Sequence, residues 1–263
     1  MTNDNGTAFS EQSRRVIDIL GIRLVDTTQS NAIRMMEQWI RDPDRKTRRL
    51  YFVNTHTLNL AADDPTTKAI LNSADAIFGD GTGVRWAARL QGITVMDNLA
   101  GTDLIPEFMR AMSGRYFRYY LLGADPETIE KAAHFAFRQF PGWDQVGFHS
   151  GYLTPDTKIR VLEEIRTTRP DMLLVGMGQP KQERFLFDHR DTLSVPVCVG
   201  VGGLFDHWAG NLQRAAPWVR QIGFEWAQLL VQQPHKARRY LIGNPKFLGR
   251  VALQFIREAR SHA

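Results

Sequence analysis

The chain has 263 residues, 43% hydrophobic and 23% charged, the composition of a soluble globular protein with room for one large domain or one domain with an appendage. Its single cysteine, Cys198, lies in the apolar run VPVCVGVG, so no internal disulfide can form and a reducing cytoplasm is expected. No run approaches the roughly 18 apolar residues of a spanning helix, and the opening MTNDNGTAFSEQSRR lacks the apolar core of a signal peptide.

The formal charge of +5 is unevenly placed. Residues 216–263 carry eight Lys/Arg against two Glu, a net +6, and residues 1–215 carry 25 basic against 26 acidic groups, a net −1. A positive excess confined to the tail points to an anionic surface or ligand there rather than to a generally basic protein.

In chain order, residues 1–14 read as disordered, and RRVIDILGIRL at Arg14–Leu24 as a short strand or turn. A helix is expected over Gln29–Ile40, with Ala32, Ile33, Met36 and Ile40 on one face. The apolar runs Leu50–Val53 and Ala76–Phe78, joined by a helical segment, suggest a βαβ unit, because parallel neighbours need a crossover. Three helix starts pair an N-capping side chain with Pro at the first helical position: Asp64-Pro65, Asp125-Pro126 and Thr154-Pro155. Strands are expected at Tyr119–Gly123, Gly142–Phe148, Met172–Val175 and Val197–Val201, with helices at Glu127–Phe140 and Asp156–Thr168. This rhythm predicts an α/β, Rossmann-like domain over 15–215, a mostly parallel sheet with helices on both faces. Beyond it, 216–263 reads as a basic helical appendage with helices at Trp218–Val231 and Lys246–Ala259. Its aromatics beside Arg and Lys suit either the membrane interface or packing on the core with a solvated basic face.

Ligands of such sheets sit outside the carboxyl ends of the strands. The first apolar run delivers Asn54, Thr55 and His56 to that edge, and the second delivers Gly79-Asp80-Gly81-Thr82-Gly83. Asp80 is the leading candidate for a catalytic base. The glycines allow close backbone approach, and a helix starting near Gly83 would aim free N–H groups at the same crevice. Spacing alone leaves open a tight turn whose Asp caps that helix. In PDMLLVGMGQPKQERFL, the amides Gln179 and Gln182 end a strand and begin a helix, where they would read a base or sugar hydroxyls, or form a solvated first turn.

Several chemistries lack their motifs. None of Gly79–Gly83, Gly176-Met-Gly178 and Gly200-Val-Gly202-Gly203 completes a dinucleotide fingerprint or a Walker loop. The seven histidines form no HExxH and no Cys/His cluster, so no metal or other cofactor is expected. A Gly-x-Ser-x-Gly elbow is absent as well. A non-enzymatic module gripping nucleic acid through the basic tail stands as the competing reading.

Taken together, the chain resembles the WecG/TagA/CpsF family of bacterial glycosyltransferases (glycosyltransferase family 26) over roughly residues 15–243. The markers fall in the family's order: the strand ending in Asn54, LNLAADDPTTKAILNSADAIFGDGTGV, GTDL at 101–104, GMGQPKQE at 176–183, GVGGLFDHWAG at 200–210, RAAPW at 214–218 and QQPHKARRYLIGNP. The resemblance implies inverting transfer of a hexose or N-acetylhexosamine from a UDP-sugar to a polyprenyl-diphosphate-linked saccharide, in cell-surface polysaccharide synthesis. It implies Asp80 as general base, and Asn54, Thr55, Gly81, Asn98, Gln179, Gln182 and Gly202 around the donor. It also implies a tail that attaches to the inner face of the membrane, with Arg238 and Arg239 on the acceptor or its diphosphate; a homo-oligomer is possible. Two positions depart from many relatives, Phe52 in place of Thr and Asn98 in place of Arg, which leaves the donor open between a glucose and an N-acetylmannosamine type.

Overall fold

The computed structural model describes residues 15–213, 225–232 and 237–261. The expected disorder of residues 1–14, the RAAPW segment and the front of the helix expected over Trp218–Val231 lie outside the described residues.

Six parallel strands form the central sheet: β3 (Arg48–Val53), β4 (Ala76–Gly79), β5 (Arg118–Gly123), β6 (Asp144–His149), β7 (Met172–Gly176) and β8 (Val197–Gly200). Their order across the sheet is β4-β3-β8-β7-β5-β6. Ahead of them, β1 (Arg15–Ile19) and β2 (Ile22–Asp26) make an antiparallel hairpin where the sequence suggested only a short strand or turn. Its two-residue turn, Leu20-Gly21, has positive φ at both positions, the twist that closes a tight hairpin.

The helices are α1 (Gln29–Arg41), α2 (Thr55–Asp63), α3 (Pro65–Asn72), α4 (Thr82–Leu90), α5 (Gly101–Ala111), α6 (Pro126–Gln139), α7 (Pro155–Thr168), α8 (Lys181–Asp188), α9 (Arg190–Leu193) and α10 (Leu204–Trp208). Three more follow in the tail: α11 (Glu225–Gln232), α12 (Ala237–Leu241) and α13 (Gly243–Ser261). The three expected N-caps are in place: Asp64, Asp125 and Thr154 each accept a backbone N–H from the turn they open. The helix α5 had no counterpart in the sequence reading. Pro106 in its middle breaks the usual signal, yet Leu104, Ile105, Phe108 and Met109 are buried and hold it against the sheet.

Alternation along the strands sorts the core into two layers. Leu50, Phe52, Phe78, Tyr119, Leu121, Leu174 and Val199 face one cluster, shared with residues of α1, α5, α6 and α10. Tyr51, Val53, Ile77, Tyr120, Leu122, Leu173 and Cys198 face the other, shared with the hairpin, α2, α4, α7 and α8. The sheet is thus buried on both faces, which is why its strands read as continuous apolar runs.

The final helix belongs to the second layer. Phe247 and Val251 are fully buried there. Asn59 of α2 donates to the Gly243 carbonyl at 2.8 Å, and Lys246 and Arg250 both pair with Asp63. Gln254 accepts from the Leu20 N–H at 2.7 Å. Phe247→Ala should therefore destabilise the whole α/β fold by about 3 kcal/mol, read as a lower midpoint in urea with one cooperative transition.

Candidate active site

All six parallel strands end at one cavity of about 540 Å³. Its wall takes Asn54 after β3, Asp80 after β4, Ala124 and Asp125 after β5, and Gly151 and Tyr152 after β6. Gly176–Gln179 after β7 and Gly200–Gly203 after β8 make the floor. Thr102 of α5, Lys181 of α8, Asp206 and His207 of α10 and Arg239 of α12 complete the rim.

The Asn54/Asp80 pair follows from strand register. Val53 is paired with Gly79, so the next residue on each strand lies side by side, and the Asp80 N–H donates to the Val53 carbonyl at 2.8 Å. Asn54 is extended and caps α2: its Oδ1 accepts from the His56 and Thr57 N–H groups at 3.0 and 3.2 Å. The side-chain oxygen is thereby committed to the cap, and Nδ2 is the group Asn54 has left to offer the cavity. Gln179 is held as firmly. Its Nε2 donates to the Phe52 carbonyl at 2.9 Å, and its Oε1 accepts from the Thr57 hydroxyl.

Backbone shape explains the glycines. A side chain on Gly123 would meet the Gly176 carbonyl oxygen at 2.3 Å, and one on Gly176 would meet Phe205 at 2.6 Å. Strand tips this close leave a floor made of main chain. Of the helices that start at the cavity's edge, α2 and α6 are capped by Asn54 and Asp125, whereas α4, α5 and α8 have no side-chain cap. Uncapped first turns keep N–H donors for an anionic ligand.

A profile of the glycosyl transferase WecG/TagA/CpsF family matches residues 17–261. The chain belongs to this family. Similar proteins include enzymes named N-acetylglucosaminyldiphosphoundecaprenol N-acetyl-beta-D-mannosaminyltransferase from Bacillus spizizenii, 31% identical over 202 residues and 77% of each chain. The Bacillus subtilis protein of that name is 29% identical over 80% of this chain and 79% of its own. The one from Staphylococcus aureus strain NCTC 8325 is 28% identical over 80% and 82%. The match runs further than the motifs suggested, through α13. This WecG/TagA/CpsF-family chain is a glycosyltransferase, and its α/β, Rossmann-like parallel sheet is the one the sequence implied.

Of the residues singled out in the sequence, Asn54, Asp80, Gln179, Gly202 and Arg239 line the cavity. Four do not. Thr55 turns away to the final helix: its hydroxyl donates to Asn244 at 2.7 Å, and its methyl fills the space beside Gly83. Gly81 supplies a positive φ before α4, and its N–H faces Asn98 Oδ1 at 3.4 Å. Asn98 itself borders a separate, smaller hollow with Arg85 and Arg89. Gln182, expected in a solvated first turn or on the donor, is fully buried behind the Gly200–Gly203 loop. Its partner Glu183 is buried too, and burial pushes that carboxyl up to about 7. Arg238 is part of α12, but its side chain lies outside what is described. Among the described residues no group of three or more His, Cys, Asp or Glu is placed to hold a metal ion.

The sequence reading passed over Tyr152, Thr102, Asp125, Asp206 and His207 as site residues. Tyr152 was within reach of the rule already used, since it sits just past a strand's carboxyl end; at 75% exposed it presents a bare ring to the cavity mouth.

Asn54→Ala should lower stability by about 1 kcal/mol through the lost cap. Asn54→Asp keeps the capping oxygen but sets a second negative charge beside Asp80, so the acid limb of the activity profile should move to higher pH. Thermal melts and a pH–activity series on both variants separate the two roles of this residue.

Proposed function

We propose that this glycosyltransferase moves a hexose or N-acetylhexosamine, with inversion, from a UDP-sugar to a polyprenyl-diphosphate-linked saccharide, as a step in cell-surface polysaccharide synthesis. The observation that carries the reading is Asp80, on the wall of the one cavity at which all six strand tips meet, beside Asn54. The relatives' printed names support the acceptor class: each acts on an N-acetylglucosaminyl group linked through diphosphate to undecaprenol.

In this reading the donor lies along the strand tips. The uridine occupies the β5–β6 end, with the Tyr152 ring as a platform for the base. The diphosphate crosses the floor at Gly176, Gly178, Gly200, Gly202 and Gly203, where no Cβ stands between it and the backbone. The sugar then reaches Asn54 and Asp80. Asp80 takes the proton from the acceptor hydroxyl as its oxygen attacks the anomeric carbon from the face opposite UDP. The bond to the diphosphate oxygen breaks, and UDP leaves with that electron pair. Lys181, Arg239 and the uncapped helix starts lower the cost of the charge that develops there. Arg238, one position earlier on α12, is assigned to the acceptor's own diphosphate. Phe52, packed on Phe78 and against Gly101, fills wall space where Thr would leave room, and so bears on which donor sugar is taken.

The lipid-linked acceptor requires contact with a membrane surface, and no helix among the described residues is long and apolar enough to cross one. Helix α13 offers a docking face. Phe247, Arg250, Val251 and Gln254 point inward, whereas Leu253, Ile256, Arg257 and Arg260, spaced three and four apart, share an exposed face. Apolar side chains flanked by arginines suit an anionic leaflet.

Asp80→Asn should cut transfer by about a thousandfold while UDP binding and the melting temperature stay near wild type. A UDP-sugar panel assayed with a short polyprenyl-diphosphate acceptor reads the first quantity, and near-normal turnover would sink the assignment. Replacing Leu253 and Ile256 by Glu should weaken sedimentation with anionic vesicles without lowering stability, a cleaner test than truncation, which would strip Phe247 from the core.

A further inference from the structure

Behind the floor of the cavity lie two polar side chains that the proposed chemistry never touches. Gln182 is 0% exposed and Glu183 1%. Gln182 Nε2 donates to Glu183 Oε1 at 2.8 Å, and Gln182 Oε1 accepts from the Gly202 N–H at 3.1 Å. The same amide fills the space against Gly200, where an added Cβ would come within 2.9 Å of Nε2. Glu183 is anchored in turn, since its main-chain carbonyl accepts from the Tyr51 hydroxyl at 3.2 Å.

A carboxamide has nearly the same shape either way round, so something must decide which end faces Gly202. Rotated by half a turn, Gln182 would press its NH₂ group against the Gly202 N–H and leave two buried donors facing each other. The acceptor at Glu183 Oε1 removes that choice by drawing the NH₂ to itself. We propose that Glu183 is a positioning residue for donor binding: it orients the Gln182 amide, which holds the Gly202 N–H and so sets the Gly200–Gly203 loop where the donor diphosphate crosses. The assignment rests on the UDP-sugar reading above.

The charge state of Glu183 supports this division of labour. Its Oε2 has no hydrogen-bond partner among the described residues, and burial raises the group to about 7. Tyr51 of β3 packs on it, and the charged or titratable groups beside Tyr51 are Arg49 of the same strand and Cys198 of β8. Arg49 is committed to Ser73 and to the face of the Phe187 ring. On α3, which also packs on α8, the buried positions are Thr67, Ile70 and Leu71, none of which ionises. The neutral acid thus fits its surroundings, and an ionised one would be a buried charge without a countercharge. Because the folded-state value is raised, the stability the acid form contributes is fully present below the ordinary carboxylate range. It is lost as pH rises through about 7.

The test compares wild type with Glu183→Gln, which imitates the neutral acid, and Glu183→Leu, which removes the acceptor. Donor KM, kcat and the Kd for UDP are measured from pH 6 to 9, with melting curves alongside. Wild type should show a donor KM that climbs above neutrality. Glu183→Gln should match it at pH 6 and lose the climb, and Glu183→Leu should raise donor KM and the UDP Kd by about tenfold with a smaller change in kcat. A Glu183→Gln profile that tracks wild type across the range, or a folded Glu183→Leu that binds UDP normally, overturns the assignment. A folded wild type that binds no UDP-sugar removes the donor reading itself, and this assignment with it.

Discussion

The pairing of β3 with β4 governs this molecule. Because Val53 sits opposite Gly79, the residues that follow are forced together, and the Asp80 N–H reaches back to the Val53 carbonyl. A slip of one residue along β4 would turn Phe78 to the wrong layer of the core and carry Asp80 away from Asn54. Burial of the apolar runs on both sheet faces fixes the register, and the register fixes the site. The carboxylate and the amide are positioned by strand geometry before any side-chain contact between them is considered.

Around that pair, polar groups do supporting work in concentric fashion. Asn54 caps α2, Thr57 and Gln179 tie the cap to the end of β7, and Gln182 ties α8 to the end of β8. The tail joins the same scheme from outside, since Thr55 meets Asn244, Asn59 meets Gly243, and Asp63 meets Lys246 and Arg250. Helix α2 is therefore gripped at its start by site residues and along its length by the chain's last described helix.

Much of this was legible in the sequence because it depends on local signals. Asp-Pro and Thr-Pro helix starts, apolar strands and glycine-rich turns are short-range features, and they placed the sheet, most of the helices and the Asn54/Asp80 edge. What failed were the matters that tertiary packing decides. Helix α5 hid behind Pro106, and its burial against the sheet outweighs the missing hydrogen bond. Gln182 and Glu183 sit in a polar run, KQER, that reads as solvated, yet helix periodicity turns Lys181 and Arg184 outward and these two inward. Thr55 follows Asn54 in sequence but points to α13, because the first turn of a helix sends successive side chains in different directions. Tyr152 follows the carboxyl end of β6 as Asn54 and Asp80 follow β3 and β4, so its place at the cavity is a local signal of the same kind.

The contact between Gly123 and the Gly176 carbonyl has a consequence for how such enzymes diversify. Bare backbone at the base of the pocket admits almost no sequence variation without prising neighbouring strands apart. The encircling side chains Thr102, Tyr152 and His207 lie outside the strands and bear no comparable geometric burden from the sheet. Under the proposed donor reading, sugar preference would shift by exchanging those bordering groups, whereas a side chain added at Gly123 or Gly176 would disturb the sheet itself.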